Sequence, residues 1–523
     1  MEKKGFKVHR KEMNRLFLGT AFLAATASCA PDKAGEVPDK PNVVIIYADD
    51  IGYGDLGCYG AKAVKTPNTD RLAHEGVRFT NAYACAATST PSRYGLLTGQ
   101  YPWRRNDTGI ARGDAPMIIR KEQYTAASLM RDAGYHTAVV GKWHLGLGEG
   151  EFNSQEWNGL ITPGPADIGF TYSYIMAATG DRTPCVFIEN QRVVNLDPSD
   201  PLEVSYTTPF EGEPLGSTHP HLLKVHPSHG HDQAIVNGIS RIGYMRGGNS
   251  ARWIDENIAD SITQKAVNFI RTNNPATTGK PFFLYFGTQD IHVPRVPHPR
   301  FAGATGMGPR GDAITEFDWS VGRILATLDS LGLTENTLVI LSSDNGPVVD
   351  DGYLDQAVEL LGDHNPSGGL RGGKYSAFEA GTRIPFVVRW PGKVKQGVSD
   401  ALVSQIDLFA TLATLTGQQA PAGAAPDSRH ALGTWLGTTS QGRSFVIGQS
   451  TGTLTLIADG FKFIAPSKGA KYNRNTCIEL GHDTLMQLYN LREDSSEHFN
   501  IADIAPDKRT SMKRMLDSLT AIQ

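Results

Sequence analysis

Cysteine is scarce, with five in 523 residues. That excludes a scaffold stapled by disulfides. An excess of charge is also missing: 50 Lys and Arg stand against 54 Asp and Glu, a formal net charge of −4. A chain so balanced lacks the basic footprint of a nucleic-acid-binding protein. There is no internal repeat, and no apolar run approaches the roughly 20 residues that span a bilayer. With 40% apolar and 20% charged residues, the composition is not that of a disordered chain. What is left is a large folded protein with ample material for a core.

The first 29 residues differ from the rest. Lys3, Lys4, Lys7, Arg10, Lys11 and Arg15 outweigh Glu2 and Glu12, and residues 16–29 carry no charge. The uncharged stretch Leu16–Ser28 is too short to span a membrane and reads as the apolar region of a secretory signal. It ends on small residues at Cys29, an arrangement that resembles a bacterial lipoprotein cleavage site, although Thr26 stands where Leu is usual. The expectation is export to the periplasm or outer membrane, with a signal peptide over 1–29 and a lipid anchor at Cys29. Cleavage near Ala30, giving a soluble periplasmic protein, is the alternative. Either way the mature chain is more acidic, near −8.

Residues 30–41 read as a tether. The apolar runs 42–48, 137–140, 281–286, 337–341 and 385–390 read as strands buried on both faces. Amphipathic stretches at 122–133, 257–272 and 313–331 predict helices. This alternation implies an α/β fold with a large, mostly parallel central sheet flanked by helices over 42–440. After a loop-like tract at 416–432, short strands at 444–449, 452–458, 461–464 and 488–491 and a helix over 505–522 predict a small C-terminal α+β subdomain, 441–523.

Asp49-Asp50 ends the first strand and Asp344-Asn345-Gly346 ends another. Sites in open α/β sheets form at the carboxyl ends of strands. Acidic groups gathered there repel one another without a cation, and hard oxygen donors with no adjacent Cys or His favour Ca²⁺ or Mg²⁺ over zinc. Taken singly, each pair is equally a turn or a helix cap. The segment Ser89-Thr-Pro-Ser-Arg-Tyr-Gly-Leu-Leu-Thr-Gly99 decides between them. A Ser or Cys followed by Pro two on and Arg four on, leading into Leu-Thr-Gly, resembles the type I sulfatase signature. The match falls on Ser89, Pro91 and Arg93; Cys85 lacks the Pro and Arg. Gly141-Lys-Trp-His-Leu-Gly146 resembles the second signature of that family, and further matches fall at His292, at Lys374 and in Leu488–Asp494.

The resemblance implies an alkaline-phosphatase-like sulfatase fold and a set of roles. Ser89 would be oxidised to formylglycine, whose hydrated aldehyde is the nucleophile. Asp49, Asp50, Asp344, Asn345 and residue 89 would hold one calcium ion. Arg93, Lys142 and Lys374 would stabilise charge, with Lys374 on the sulfate. His292 would protonate the leaving oxygen and His144 would take the proton as the aldehyde reforms. A Ser precursor, rather than Cys, implies an oxygen-independent radical maturase as partner. The alternatives are a phosphodiester or phosphonate hydrolase of the same superfamily and a non-catalytic sulfoglycan-binding lipoprotein.

The substrate is argued from loops. Asp181 beside Arg182 can grip vicinal sugar hydroxyls as acceptor and donor. The tract 219–232 holds His219, His221, His226, His229 and His231; the first three read as solvated loop, and the last pair precede an apolar, helix-like start. These segments resemble bacterial sulfatases related to N-acetylgalactosamine-6-sulfatase. That resemblance implies an exo-acting carbohydrate sulfatase for 6-O-sulfated galactose or N-acetylgalactosamine in host glycans, with Asp181, Arg182 and His231 on the sugar. Galactose-type sugars sulfated at O3 or O4, and 6-O-sulfated glucosamine, are the alternatives. Trp103, Arg104, Arg105 and Trp157 are further pocket candidates.

Overall fold

A computed structural model describes residues 40–521. The expected signal peptide, Cys29 and nearly all of the expected tether lie outside them.

Ten strands form one sheet: β1 (Asn42–Ala48), β2 (Val77–Phe79), β3 (His136–Lys142), β4 (Tyr172–Met176), β5 (Phe187–Glu189), β6 (Arg192–Val193), β7 (Phe282–Gly287), β8 (Thr337–Ser343), β9 (Phe386–Arg389) and β10 (Gly397–Ser399). Their order is β10-β2-β9-β8-β1-β7-β3-β4-β5-β6. The middle strands β8-β1-β7-β3-β4 are parallel. Towards both edges the pairing turns antiparallel, at β8–β9–β2 and at β4–β5–β6, with β10 parallel to β2. The sheet is therefore mixed, with a parallel centre and antiparallel pairing towards both edges. The 385–390 run, read among the parallel strands, runs back as β9. It follows an excursion that stays at the carboxyl end of β8, and without a crossover helix the chain can only return antiparallel.

The longer helices that flank the sheet among the described residues are α1 (Pro67–His74), α2 (Ser89–Thr98), α3 (Ala126–Asp132), α4 (Ile258–Thr272), α5 (Gly308–Ser330) and α6 (Leu408–Thr416). α1, α4 and α5 pack as one group and α2, α3 and α6 as another. Between them every residue of β1 and β7 is buried, which is why those strands are continuously apolar instead of alternating. α5 begins five residues before the predicted start, because Pro309 fits the first turn of a helix.

A second sheet is antiparallel throughout: β11 (Phe445–Ser450), β12 (Thr453–Ala458), β13 (Phe461–Ile464) and β14 (Gln487–Asn490). Its alternation serves two faces. Ile447, Leu456, Phe463 and Leu488 cluster with Met512 and Leu516 of α7 (Pro506–Thr520), while Val446 and Ile457 pack on Tyr83 of the main body. One local expectation fails. The stretch after Asp232 is not a helix but a hairpin, Ile235–Val236 against Ile239–Ser240. Asn237 (φ 54°) and Gly238 (φ 69°) supply the left-handed pair such a two-residue turn demands. No helix among the described residues is long and apolar enough to cross a membrane.

Candidate active site

Neighbouring parallel strands end at one edge of the sheet, and each delivers a chemical group there. β1 leads to Asp49 and Asp50, β8 to Asp344 and Asn345, β3 ends on Lys142, and the loop after β7 carries His292. The ends are laced together: Asp344 N–H donates to the Ala48 carbonyl (3.2 Å) and Ile291 N–H to that of Asp49 (2.7 Å). Gly141 pairs with Gly287 at φ 100°, and a Cβ there would stand 1.8 Å from the Gly287 carbonyl oxygen. Only glycine lets β3 and β7 close so that Lys142 emerges beside Asp49. Ser89 opens α2, all ten of whose residues are buried, so the helix shows no amphipathic stripe. The partial positive charge of its N-terminus falls at the same place.

Ser89 Oγ accepts from Lys142 Nζ (2.9 Å) and lies 3.4 Å from both Asp49 Oδ1 and Asn345 Oδ1. Lys142 Nζ also donates to Asp49 Oδ2 (2.5 Å). Arg93 donates through Nε and Nη2 to Asp344 Oδ2 (3.2 and 2.8 Å) and through Nη1 to the Tyr285 hydroxyl (3.1 Å), with its guanidinium over the Tyr47 ring. Lys374 Nζ donates to Asp50 Oδ2 (2.9 Å) and Asp351 Oδ2 (2.7 Å). Asn345 Nδ2 donates to Asp50 Oδ1 (2.7 Å). Ligand atoms of Asp49, Asp50 and His292 all come within 4.8 Å of one another. Burial, with Asp344 and Asp50 close by, raises the Asp49 carboxyl well above the usual carboxylate range despite Lys142. Crowded buried carboxylates and an amide oxygen are a donor set suited to a hard divalent cation.

The two histidines carry their hydrogen on different ring nitrogens. His144 Nε2 lies 2.9 Å from the Ala111 carbonyl, an acceptor, so Nε2 carries the hydrogen. Its Nδ1 is buried without a hydrogen-bond partner among the described residues. Burial, then Lys142 and Arg182, hold His144 well below the ordinary histidine value, leaving a bare Nδ1 lone pair. In His292 the Val293 carbonyl fixes the hydrogen on Nδ1 (2.7 Å), and Nε2 looks toward Asp50 (3.9 Å). Burial, then Lys374, lowers it to about 4. Asp50 (φ 59°), His144 (55°), His231 (52°) and Tyr375 (75°) all take left-handed backbone, uncommon for residues other than glycine and typical of functional sites.

Above these groups is a cavity of about 70 Å³ whose lining includes Ser89, His144, Asp181, Arg182, His231 and His292. Asp181 Oδ2 accepts from His231 Nε2 (2.9 Å), and Arg182 Nη1 donates to Asp181 Oδ1 (3.1 Å). Burial alone would raise the Asp181 carboxyl, but Arg182, His292 and His231 hold it well below the usual range. His219 is half-buried and His221 and His226 are exposed, and none of the three lines the cavity. Asp351 and Tyr375 also line it, and sequence reasoning missed both. Tyr375 follows Lys374 directly, and the signal for Asp351 was the need of a buried lysine for a counter-charge. Trp103 and Arg104 lie elsewhere, in a groove of about 770 Å³ near the opposite end of α2, where Asp427 holds Arg104. Arg105 pairs with Asp107 and Trp157 is buried.

This geometry has counterparts. The profile of the family described as Sulfatase matches residues 41–418, and the chain belongs to that family. It is 52% identical over 505 residues to an N-acetylgalactosamine-6-O-sulfatase of Bacteroides thetaiotaomicron, covering 96% of this chain and 98% of that one. A solved structure described under the metabolism of multiple glycosaminoglycans by the same organism superposes with a TM-score of 0.90 at 53% identity, covering 92% of this chain and 99% of the other. Human arylsulfatase A is 33% identical over 393 residues, 74% of this chain and 66% of its own. The protein is thus a sulfatase, an enzyme that hydrolyses sulfate monoesters.

Proposed function

We propose that this sulfatase removes the 6-O-sulfate from terminal galactose or N-acetylgalactosamine of host glycans, using one Ca²⁺ and a formylglycine made from Ser89. The observation that carries the reading is the narrow cavity, with Ser89 and Lys374 among its polar lining and the Asp181–Arg182–His231 trio beside them. A 6-O-sulfate rides on an exocyclic CH₂ and can reach into a narrow cavity while the ring stays at the mouth. Asp181 and Arg182 can then hold ring hydroxyls, an axial O4 among them, as acceptor and donor. The name of the 52%-identical relative supports the same sugar.

Asp49, Asp50, Asp344 and Asn345, with residue 89, would hold the cation, which polarises the nucleophile and the ester when bound. The partners of Ser89 Oγ are an ammonium and acceptor oxygens rather than an imidazole, so an unmodified serine has no base to activate it. A formylglycine there would supply a hydrated aldehyde, one hydroxyl to attack and one to expel sulfate. Lys374 and Lys142 neutralise ester oxygens. His292 carries its own hydrogen on Nδ1; with the anionic ester bound, its Nε2 would take a second proton from solvent and pass it to the departing sugar oxygen, and the bare Nδ1 of His144 is the acceptor. Around these steps we place an anaerobic radical maturase, export to the periplasm or outer membrane, and a lipid anchor at Cys29. The anchor predicts that Cys29→Ser protein leaves the membrane fraction.

Protein matured in an anaerobic host and offered galactose and N-acetylgalactosamine sulfated at O3, O4 or O6, plus glucosamine-6-sulfate, tests the reading. Release from the 6-sulfated galacto sugars alone is expected. Release from another regioisomer keeps the sulfatase and discards the assignment of Asp181, Arg182 and His231. Preference for phosphate esters would point to the phosphohydrolase branch of the superfamily, and binding without turnover by fully matured protein to a glycan-binding protein.

A further inference from the structure

The catalytic cavity does not end at its mouth. It shares His231, Ile242, Asp351 and Tyr375 with an outer groove of about 400 Å³. Beyond the shared residues the groove is lined by His229, Gly230, Asp232 and Gln233 from the segment around His231 and by Asn473, Asn475 and Thr476 from the C-terminal region. We infer that this groove is a subsite for the sugar next to the sulfated one, held through neutral hydrogen bonds and donated in part by the C-terminal region. The inference rests on the 6-O-sulfatase reading of the inner site.

The groove wall is preformed. Asn473 Oδ1 accepts from the N–H groups of Asn475 (2.9 Å) and Thr476 (3.2 Å), and Cys477 N–H donates back to the Asn473 carbonyl (2.9 Å). These bonds fix a tight turn whose tip carries Asn475 and Thr476. Its base is bolted to the segment that presents Lys374: Arg371 makes a two-pronged ion pair with Glu479 (2.8 and 2.6 Å), Ser376 Oγ donates to the Glu479 carbonyl (2.6 Å), and Ala377 N–H donates to that of Leu480 (2.9 Å). The wall and the sulfate-facing lysine are thus one rigid assembly, so a chain that seats its sulfate on Lys374 lays its next residue along the wall at a fixed distance.

The chemistry of the wall points to a sugar. Asn475 is exposed, and its amide makes no side-chain hydrogen bond among the described residues. Amides and a threonine hydroxyl match carbohydrate hydroxyls and acetamido groups as both donor and acceptor. No lysine or arginine lines the groove, the charge of His231 is taken up by Asp181 (2.9 Å), and the carboxylate that lines it in the open, Asp232, is exposed. A neutral neighbouring sugar fits this lining, and a uronate does not.

The test compares a 6-sulfated monosaccharide with a 6-sulfated disaccharide bearing a neutral second sugar, on matured wild type, Asn475→Ala and Thr476→Val. Asn473 is left intact because it builds the turn. We expect the disaccharide-to-monosaccharide ratio of kcat/KM to be on the order of tenfold in wild type, the yield of one or two neutral hydrogen bonds. The ratio should fall toward one in the variants and be indifferent to salt, because no ion pair is involved. A wild-type ratio of one, a ratio retained in both variants, or a uronate-bearing disaccharide turned over faster than the neutral one would overturn the subsite. No release from any 6-sulfated sugar, monosaccharide included, would overturn the underlying reading instead.

Discussion

Lys142 and Lys374 are both buried lysines, yet their surroundings push them in opposite directions. Burial, helped by Arg93, lowers Lys142 even though Asp49 pulls the other way. Burial would also lower Lys374, but Asp351 and Asp50 raise it well above the ordinary value. Lys374 therefore stays a cation at any working pH. Lys374→Met should reduce kcat/KM about 10²–10³-fold, the cost of one preorganised charge, in a steady-state assay. His292→Ala should harm a sugar sulfate far more than an aryl sulfate, whose leaving oxygen needs no proton; equal losses would contradict its assigned role. The Asp181–His231 pair sets a pH dependence. Burial would lower His231, but Asp181 outweighs it, so its value is raised. The group facing Asp181 is therefore an imidazolium below that raised value, and the ion pair is lost as pH climbs through it. Across that same rise KM for the 6-sulfated sugar should increase, and His231→Gln should show no such inflection. At this scale the residues carried by a motif, such as Ser89, Arg93 and Lys142, were readable, because chemistry fixes their spacing. Asp351 was not: it follows Asp350 in a polar loop, and nothing in the order of residues says that it faces a lysine 23 positions on.

Among the elements, the short strands of the second sheet were the most legible, since each alternates clearly and tight turns separate the first three. The hairpin at 235–240 was misread because each arm is only two residues long, too short for any period to appear. What no pattern could show is how the second sheet is locked to the main body. Lys462 of β13 lies 3.1 Å from the carboxylates of both Glu379 and Glu497, all three fully buried. Glu379 sits five residues after Lys374, and its N–H donates to Glu497 Oε2 (2.6 Å). One ammonium cannot serve two carboxylates equally. Burial, then the charge of Glu379, raises Glu497 to about 7 although Lys462 opposes the shift. Burial would raise Glu379 as well, but Lys462 and Arg383 hold it below its ordinary value. A carboxyl raised on folding binds its proton more tightly in the native state, so its contribution favours folding at low pH and is lost as pH rises to about 7. Glu497→Gln should flatten the fall in melting temperature between about pH 4.5 and 7; an unchanged slope would remove Glu497 as its cause. Lys462→Met leaves Glu497 without a counter-charge and Glu379 with Arg383 alone, and should cost on the order of 3–5 kcal/mol, read by thermal unfolding.

Over the whole molecule the puzzle is electrostatic: a chain of net charge −4 must receive an anionic ester. The architecture was legible in outline, because buried parallel strands advertise themselves as apolar runs. The mixed edges were not, since strand direction depends on where the chain returns and leaves no mark on composition. The same topology resolves the puzzle by keeping the field local. At the edge where β8, β1, β7 and β3 end, Asp49, Asp50, Asp344 and Asp351 face Arg93, Lys142 and Lys374, all buried. With every group ionised, these four carboxylates and three cations sum to one negative charge. A divalent cation reverses it to one charge positive. Near a protein surface each unit-charge interaction at about 4 Å is on the order of 4 kcal/mol, and a reversal of two charges exceeds that even after screening. Chelation followed by dialysis should therefore lower kcat/KM at least about a thousandfold, lower the melting temperature, and be reversed by Ca²⁺ more fully than by Mg²⁺, which holds its waters and demands a tighter shell. The same experiment on protein whose mass shows unconverted Ser89 separates the two requirements: the metal should still raise its melting temperature while no sulfate is released. Full activity after rigorous chelation, with bound metal shown absent by elemental analysis, would mean that Arg93, Lys142 and Lys374 overcome four carboxylates unaided, and the charge argument would fall.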